Sequence, residues 1–164
     1  LDITKFIGQY LPAPQFSFRW DVVLPTISGG NSELVSNRII EIPTLPTTEF
    51  VSESTPVGNT KWYYALNNDL STITMRAIEG EDGETRKYFN AWQKLILHPE
   101  GYHYPPVNYK KNIVIQLYDS EGKPSISLKY LGYFPTKINH PALTSEASDV
   151  LIYDIDLSGD SIEW

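Results

Sequence analysis

Three histidines, His98, His103 and His140, are the first residues in this chain suited to metal or acid–base chemistry. His98 and His103 lie five apart in a stretch rich in Tyr and Pro, and no third ligand follows at the spacing that zinc or copper sites use. They are expected to be surface loop residues. The chain has no cysteine, which excludes thiol nucleophiles, disulfides and thiolate zinc sites. There is no Gly-x-Ser-x-Gly elbow, no phosphate-cradling glycine loop and no dinucleotide fingerprint. "EGEDGE" at 79–84 lacks the alternating oxygen ligands of a calcium loop. Asp154 and Asp156 are a carboxylate pair, the residue type a glycosidase sets across its substrate. Two apart on one strand, they point the same way and are expected to form a solvent-facing stripe. The 4 Trp and 11 Tyr offer rings for a sugar platform, with Tyr102, Tyr104 and Tyr109 in one loop. Trp20, Trp62 and Trp92 fall on apolar faces, where packing is the commoner role. The residues therefore predict no enzyme, no cofactor and no metal.

The elements that must position these residues are mostly strands. The 164 residues suit a single domain spanning 1–164 with a sizeable core. "FSFRWDVVL" places Phe16, Phe18, Trp20, Val22 and Leu24 on one face at period 2, and "ELVSNRIIEI" reads as its return strand, a hairpin over 16–42. Residues 43–60, with three prolines and little alternation, read as a long loop, a kind of connection that is usually functional or disordered. "TKWYYAL" and "STITMRAI" resume strand character on either side of a turn at "NND", with Ile73, Met75 and Ala77 on one face. "TRKYFNAWQKLIL", 85–97, is the one clear helix. Its Tyr88, Phe89, Trp92, Leu95 and Ile96 make an apolar arc of about 120°. Asp82 suits its N-cap and Pro99 its stop. Lys111 to Pro135 form a hairpin in which Ile113, Ile115 and Leu117 face Ile126, Leu128 and Tyr130 across the turn "DSEG". A loop, "TKINHPALTSEASD", then leads to "VLIYDIDLS", with Leu151, Tyr153, Ile155 and Leu157 on one side. About seven strands and one flanking helix predict a mainly β (α+β) sandwich or barrel.

Net charge is −7, from 13 basic and 20 acidic residues. That balance argues against an electrostatic grip on nucleic acid. The basic excess is confined to Arg86, Lys87, Lys94, Lys110 and Lys111. Residues 143–164 carry Glu146, Asp149, Asp154, Asp156, Asp160 and Glu163 and no Lys or Arg. No apolar run approaches the roughly 18 residues of a membrane helix, and 1–15 hold no signal-type apolar segment.

The order of these segments resembles the tail tube protein of contractile-tailed bacteriophages, related to the tubes of type VI secretion systems and R-type pyocins. The resemblance rests on "RKYFNAWQKLI" with Phe89 and Trp92, on the strand led by Lys110 and Lys111, and on Gly132, Phe134, Pro135 and Thr136. Ser145 to Leu157, which runs into the last alternating strand, completes it, and "IPTLPTTEF" with "TPVGNTKWYYAL" matches upstream. It covers roughly residues 16–157, leaving 1–15 without a match, and the loop 98–109 carries more Tyr and Pro than the family leads one to expect. The resemblance implies a β-barrel or sandwich with one helix. It further implies six copies in a ring and rings stacked into a tube that conducts DNA inside a contractile sheath. Implied partners are the sheath, baseplate tube-initiator, tape measure and tail terminator proteins. The implied location is the virion tail, assembled in host cytoplasm, with no membrane. Within that frame the 43–60 loop, centred on Thr47, Thr48, Glu49, Phe50 and Val51, is expected to touch the next ring. Glu41, Asp154 and Asp156 are expected to line or rim the lumen, where carboxylates repel phosphates. A baseplate tube-initiator sharing the domain is the near alternative. A carbohydrate-binding sandwich using Tyr102, Tyr104 and Tyr109 is the distant one.

Overall fold

A computed structural model describes residues 17–146 and 149–163. The N-terminal segment 1–15 and Phe16 lie outside the described residues. Nine strands are present among them: β1 (Trp20–Val23), β2 (Ile39–Thr44), β3 (Thr48–Val57), β4 (Thr60–Leu70), β5 (Ile73–Ile78), β6 (Lys111–Tyr118), β7 (Pro124–Asn139), β8 (Ile152–Ser158) and β9 (Ser161–Glu163). Three helices join them: α1 (Ser32–Ser36), α2 (Glu84–Lys94) and α3 (Pro106–Tyr109). The main sheet runs β1-β6-β7-β8-β5-β2, with β9 also on β7, and all its pairings are antiparallel. It does not close into a barrel.

The alternation read along the strands places the core. Ile73, Met75 and Ala77 of β5, Tyr153, Ile155 and Leu157 of β8, and Ile113 and Ile115 of β6 are all buried in one cluster. β7 holds the layers together. Its first part pairs with β6 and β9, and from Phe134 onward it pairs with β8. Tyr130 and Tyr133 sit fully inside, edge to face at 5.6 Å. A Cβ at Gly159 would overlap the Tyr133 ring, which has no exposed surface to swing into. Gly159→Ala is therefore expected to cost about 1–3 kcal/mol by overpacking, read as a lower denaturation midpoint. An unchanged midpoint would show that the ring has room.

Helix α2 covers the core as its apolar arc implies. Thr85, Tyr88, Phe89 and Trp92 are buried, and Leu95 is partly buried against them. The helix stops at Lys94 rather than Leu97, so Leu95 is its C-cap and Ile96 lies beyond it. The reason is local pairing: the Ile96 carbonyl accepts from the Tyr104 N–H, and Leu97 bridges His103. This pulls the chain out of the helix before Pro99 acts. The cap also differs. Gly83, at φ +65°, is the N-cap, and Asp82 sits one position earlier.

Five other expectations are corrected. The hairpin over 16–42 does not form, because Asn31 caps helix α1 inside it through a bond from the Leu34 N–H. β1 instead pairs with β6, and β2 with β5. The loop over 43–60 is largely strand, the end of β2 and all of β3. The "NND" turn is absent, because β4 runs through it. Trp62, expected inside, is 63% exposed. Within "TKINHPALTSEASD", the residues up to Asn139 continue β7.

Candidate assembly interface

Among the described residues, β3 and β4 pair only with each other and form a two-stranded arm. Ten residues of β3 at ~3.3 Å each make it roughly 30 Å long. Every residue of β3 is exposed. Its β-branched and small polar residues favour extended backbone, while neither face meets a core, so the apolar alternation of a buried strand never arises. The turn at Gly58, φ +61°, reverses the chain. At the root, the Thr47 N–H donates to Ser71 Oγ at 2.7 Å. Near the tip, the register puts Val57, Thr55 and Glu53 with Thr60, Trp62 and Tyr64 on one face. Trp62 and Tyr64 meet at 5.2 Å with their rings tilted by 36°, and the Tyr64 hydroxyl donates to Glu53 at 3.2 Å. Tyr63, 68% exposed, points from the other face. An isolated hairpin is marginal in water, and one with bare aromatics on both faces is built to be covered. Thr48, Glu49, Phe50 and Val51 form the root half of β3, and Thr47 precedes it. The larger rings, Trp62 and Tyr63, are not among the contact residues expected from the sequence, because an apolar aromatic reads first as a core residue.

Glu41, Asp154 and Asp156 come together on the outer face of the main sheet, the side opposite the buried residues of β5 and β8. Arg76 lies between two of them, its Nη1 donating to Glu41 at 2.8 Å and its Nε to Asp154 at 3.0 Å. These two carboxylates raise its guanidinium above the ordinary value, Glu41 most. Thr74 Oγ1 donates to Asp156 at 2.9 Å, and Lys137 stands opposite Asp156 in register. The face is a polar lattice of mixed sign with a small acidic excess. It is not a bare acidic stripe.

The groups with chemical potential are dispersed. No three His, Asp or Glu among the described residues stand close enough to share a metal ion. His98 stacks on Tyr102 at 4.2 Å and accepts from the Glu100 N–H, while His140 meets the Tyr153 ring. Tyr102 and Tyr104 cluster with His98, but Tyr109 turns to Phe134, so the three tyrosines do not make one sugar platform. No helix among the described residues is long and apolar enough to cross a membrane.

The start of α2 is a small electrostatic centre. Glu79 accepts from the Thr85 and Arg86 N–H groups, and Asp82 from Glu84, satisfying three donors at the positive helix end. Arg38 grips Asp82 with two bonds of 2.9 and 2.7 Å. Arg38 first, then the Glu84 N–H, hold the Asp82 carboxyl down at about 2. A depressed carboxyl stabilises the fold above its unfolded value and loses that contribution as pH falls through the folded one. The difference in melting temperature between the native chain and Asp82→Asn should therefore be constant near neutral pH and shrink between about pH 4 and 2. A difference that stays constant across this range would show that the pair does not act in folding. Further along the helix, Arg86 and Lys94 make no ion pair among the described residues, nor does Lys111. This leaves a cationic outer surface on an acidic chain.

No protein-family model matches the chain, and no curated protein matches its sequence. Solved structures do match. The structure of the anti-feeding prophage tube-terminating cap superposes with a TM-score of 0.67 at 18% identity, over 92% of this chain and 90% of that one. A sheath/tube terminator of an extracellular contractile injection system, PVC, in its extended state gives 0.68 at 16% identity, over 93% and 97%. The PVC sheath–tube complex gives 0.64 at 18%, over 99% and 97%. This is the tail-tube fold. At such identities the likeness establishes architecture alone. Within the tail-tube fold, the mainly β content and the one long helix among the described residues agree with the fold class expected from the sequence.

Proposed function

We propose that the chain is a structural subunit of a contractile tail or injection particle and that its copies form hexameric rings stacked into a tube. The observation that carries this reading is the arm, which exposes aromatic rings on both faces of a hairpin that the other described residues leave uncovered. Antiparallel main-sheet strands whose edges at β1 and β2 are unpaired among the described residues give each copy further means of joining the next. The role is one of assembly rather than catalysis. The Glu41–Arg76–Asp154–Asp156 face lines the channel, where its slight acidic excess keeps a passing polyanion from sticking. The cationic surface of α2 faces outward toward the sheath. A ring structure with the acidic face on the outside would refute this orientation.

A second reading has specific support. Two of the similar structures are a tube-terminating cap and a sheath/tube terminator. A terminator or initiator forms one ring and stops. Negative-stain microscopy of the purified protein separates these outcomes: open-ended hollow rods support the tube subunit, single rings the terminator or initiator. Monomers at all concentrations overturn both.

A further inference from the structure

The arm and its base are two stretches of one hairpin. The chain passes from β2 into β3 and from β4 back into β5, and β2 pairs with β5 as β3 pairs with β4. Thr44 stands opposite Thr74, and Thr48 opposite Leu70. Four residues forward on one strand match four back on the other, so the register is unbroken between these pairs. It sets Leu45 against Ile73, Pro46 against Thr72 and Thr47 against Ser71. Residues 45–47 and 71–72 nonetheless belong to no strand. The ladder lapses over these pairs and resumes in the same register.

Local chemistry explains the lapse. Pro46 has no N–H to give a ladder. Ile73 stays buried in the main sheet opposite Leu157 of β8, while Leu45, Thr47, Ser71 and Thr72 are exposed. Across the gap the Thr47 N–H donates to Ser71 Oγ, on a side chain that rotates, and water competes for a bond so exposed. Both flanks are better braced. On the base side, Arg76 of β5 reaches Glu41 of β2 and Asp154 of β8, linking three strands. On the arm side, the β3–β4 pairing runs on to Val57↔Thr60, with Tyr64 bonded to Glu53. Two braced units joined by two short exposed segments have the anatomy of a hinge. The shared register removes a further obstacle, since the arm turns without either strand sliding on its partner.

We propose that residues 45–47 and 71–72 form a hinge on which the arm swings as one unit against the main sheet. In its straightest position the ladder closes through the gap, and the strands run as one continuous hairpin. Swinging disturbs an exposed bond and leaves the core cluster untouched, since none of that cluster lies on β3 or β4. A swing of about 20° moves the tip of a roughly 30 Å arm by about 10 Å. The hinge is a property of one chain, and its use rests on the reading that copies assemble. A subunit hinged in this way takes the direction of its arm from what the arm packs against, so that direction is set on assembly and not on folding.

The absence of cysteine lets spin labels be placed cleanly. One doubly labelled chain, Thr55→Cys with Lys94→Cys, measures the arm against α2. A second, Glu49→Cys with Thr55→Cys, measures the arm against itself across its own bulge between Phe50 and Ser52. Pulsed electron–electron resonance on the dilute free chain should give an arm-to-α2 distance spread over about 10 Å or more, and a narrow distance near 20 Å within the arm. Pro46→Thr restores an N–H and a strand-favouring residue in the gap. It should narrow the arm-to-α2 spread and leave the distance within the arm unchanged. In polymers diluted with unlabelled chain, the arm-to-α2 distance should collapse to a single value. A narrow arm-to-α2 distance in the free chain overturns the hinge. So does a broad distance within the arm, which would place the bending at the bulge, and so does a spread that Pro46→Thr does not change. A spread that persists in the polymer overturns the setting of the arm by assembly. No polymer at any concentration overturns the tube reading, and the free-chain distances still decide the hinge.

Discussion

Trp92→Ala is expected to unfold the subunit and thereby abolish every assembled form. The indole has no exposed surface and lies in the cluster that joins α2 to the sheet. It meets Tyr88 edge to face at 6.0 Å, and its Nε1 donates to the Tyr109 carbonyl at 2.7 Å. Truncation removes the packing, leaves a cavity and strips that carbonyl of its partner. For a buried large aromatic the loss is about 3–5 kcal/mol, against a total stability of about 5–15 kcal/mol for a typical domain. The same hydrogen bond ties α3 and the start of β6 to the helix, so the damage spreads to the loop 98–110. Trp92→Phe keeps a ring and loses the bond, and should cost about 1–3 kcal/mol. Chemical denaturation of the two variants checks the order. Soluble, assembling Trp92→Ala protein would show that the helix is not the cover the core depends on.

Removing the arm should do the reverse, abolishing assembly and sparing the fold. Thr48 and Leu70 are register partners, so Glu49 to Asp69 can be replaced by Asn-Gly to make a two-residue hairpin turn. Deleting only 47–54, as a loop reading suggests, would instead leave β4 without its partner. None of the core cluster lies on β3 or β4, so circular dichroism and melting temperature should barely change. Sedimentation velocity should then find monomers at concentrations where the native chain polymerises. Normal polymers from the armless chain would remove the arm from the interface. An unfolded armless chain would show that the arm belongs to the domain after all.

The failures of sequence reading have a common physical origin. Periodicity reports only faces that are buried within the chain. Ile73, Met75 and Ala77, then Tyr153, Ile155 and Leu157, alternate because each strand has one face in the core, and they were legible. The helix was legible for the same reason, through Tyr88, Phe89 and Trp92. The arm has no such face, so β3 passed for a loop. β4, with aromatics on both sides, passed for part of the interior. The cap on α2 was misassigned because Glu79, six residues before Thr85, reaches back over a turn that only the folded chain defines.

Glu41, Asp154 and Asp156 show the same division. The sequence placed Asp154 and Asp156 on one outward face, since two residues on a strand always share a side. Glu41 joined them only through the family resemblance, since periodicity cannot show that β2 pairs with β5 rather than β1, and strand pairing over long separations is a tertiary event. Nor could it reveal that Arg76 stands between Glu41 and Asp154 and moderates the charge of the face. By itself the sequence determined the buried faces of β5, β6, β8 and α2, through local periodicity, and the mainly β class that follows from it. The tertiary structure alone decided which strands meet, which edges stay open and which hairpin stands free, because those depend on partners distant in the chain.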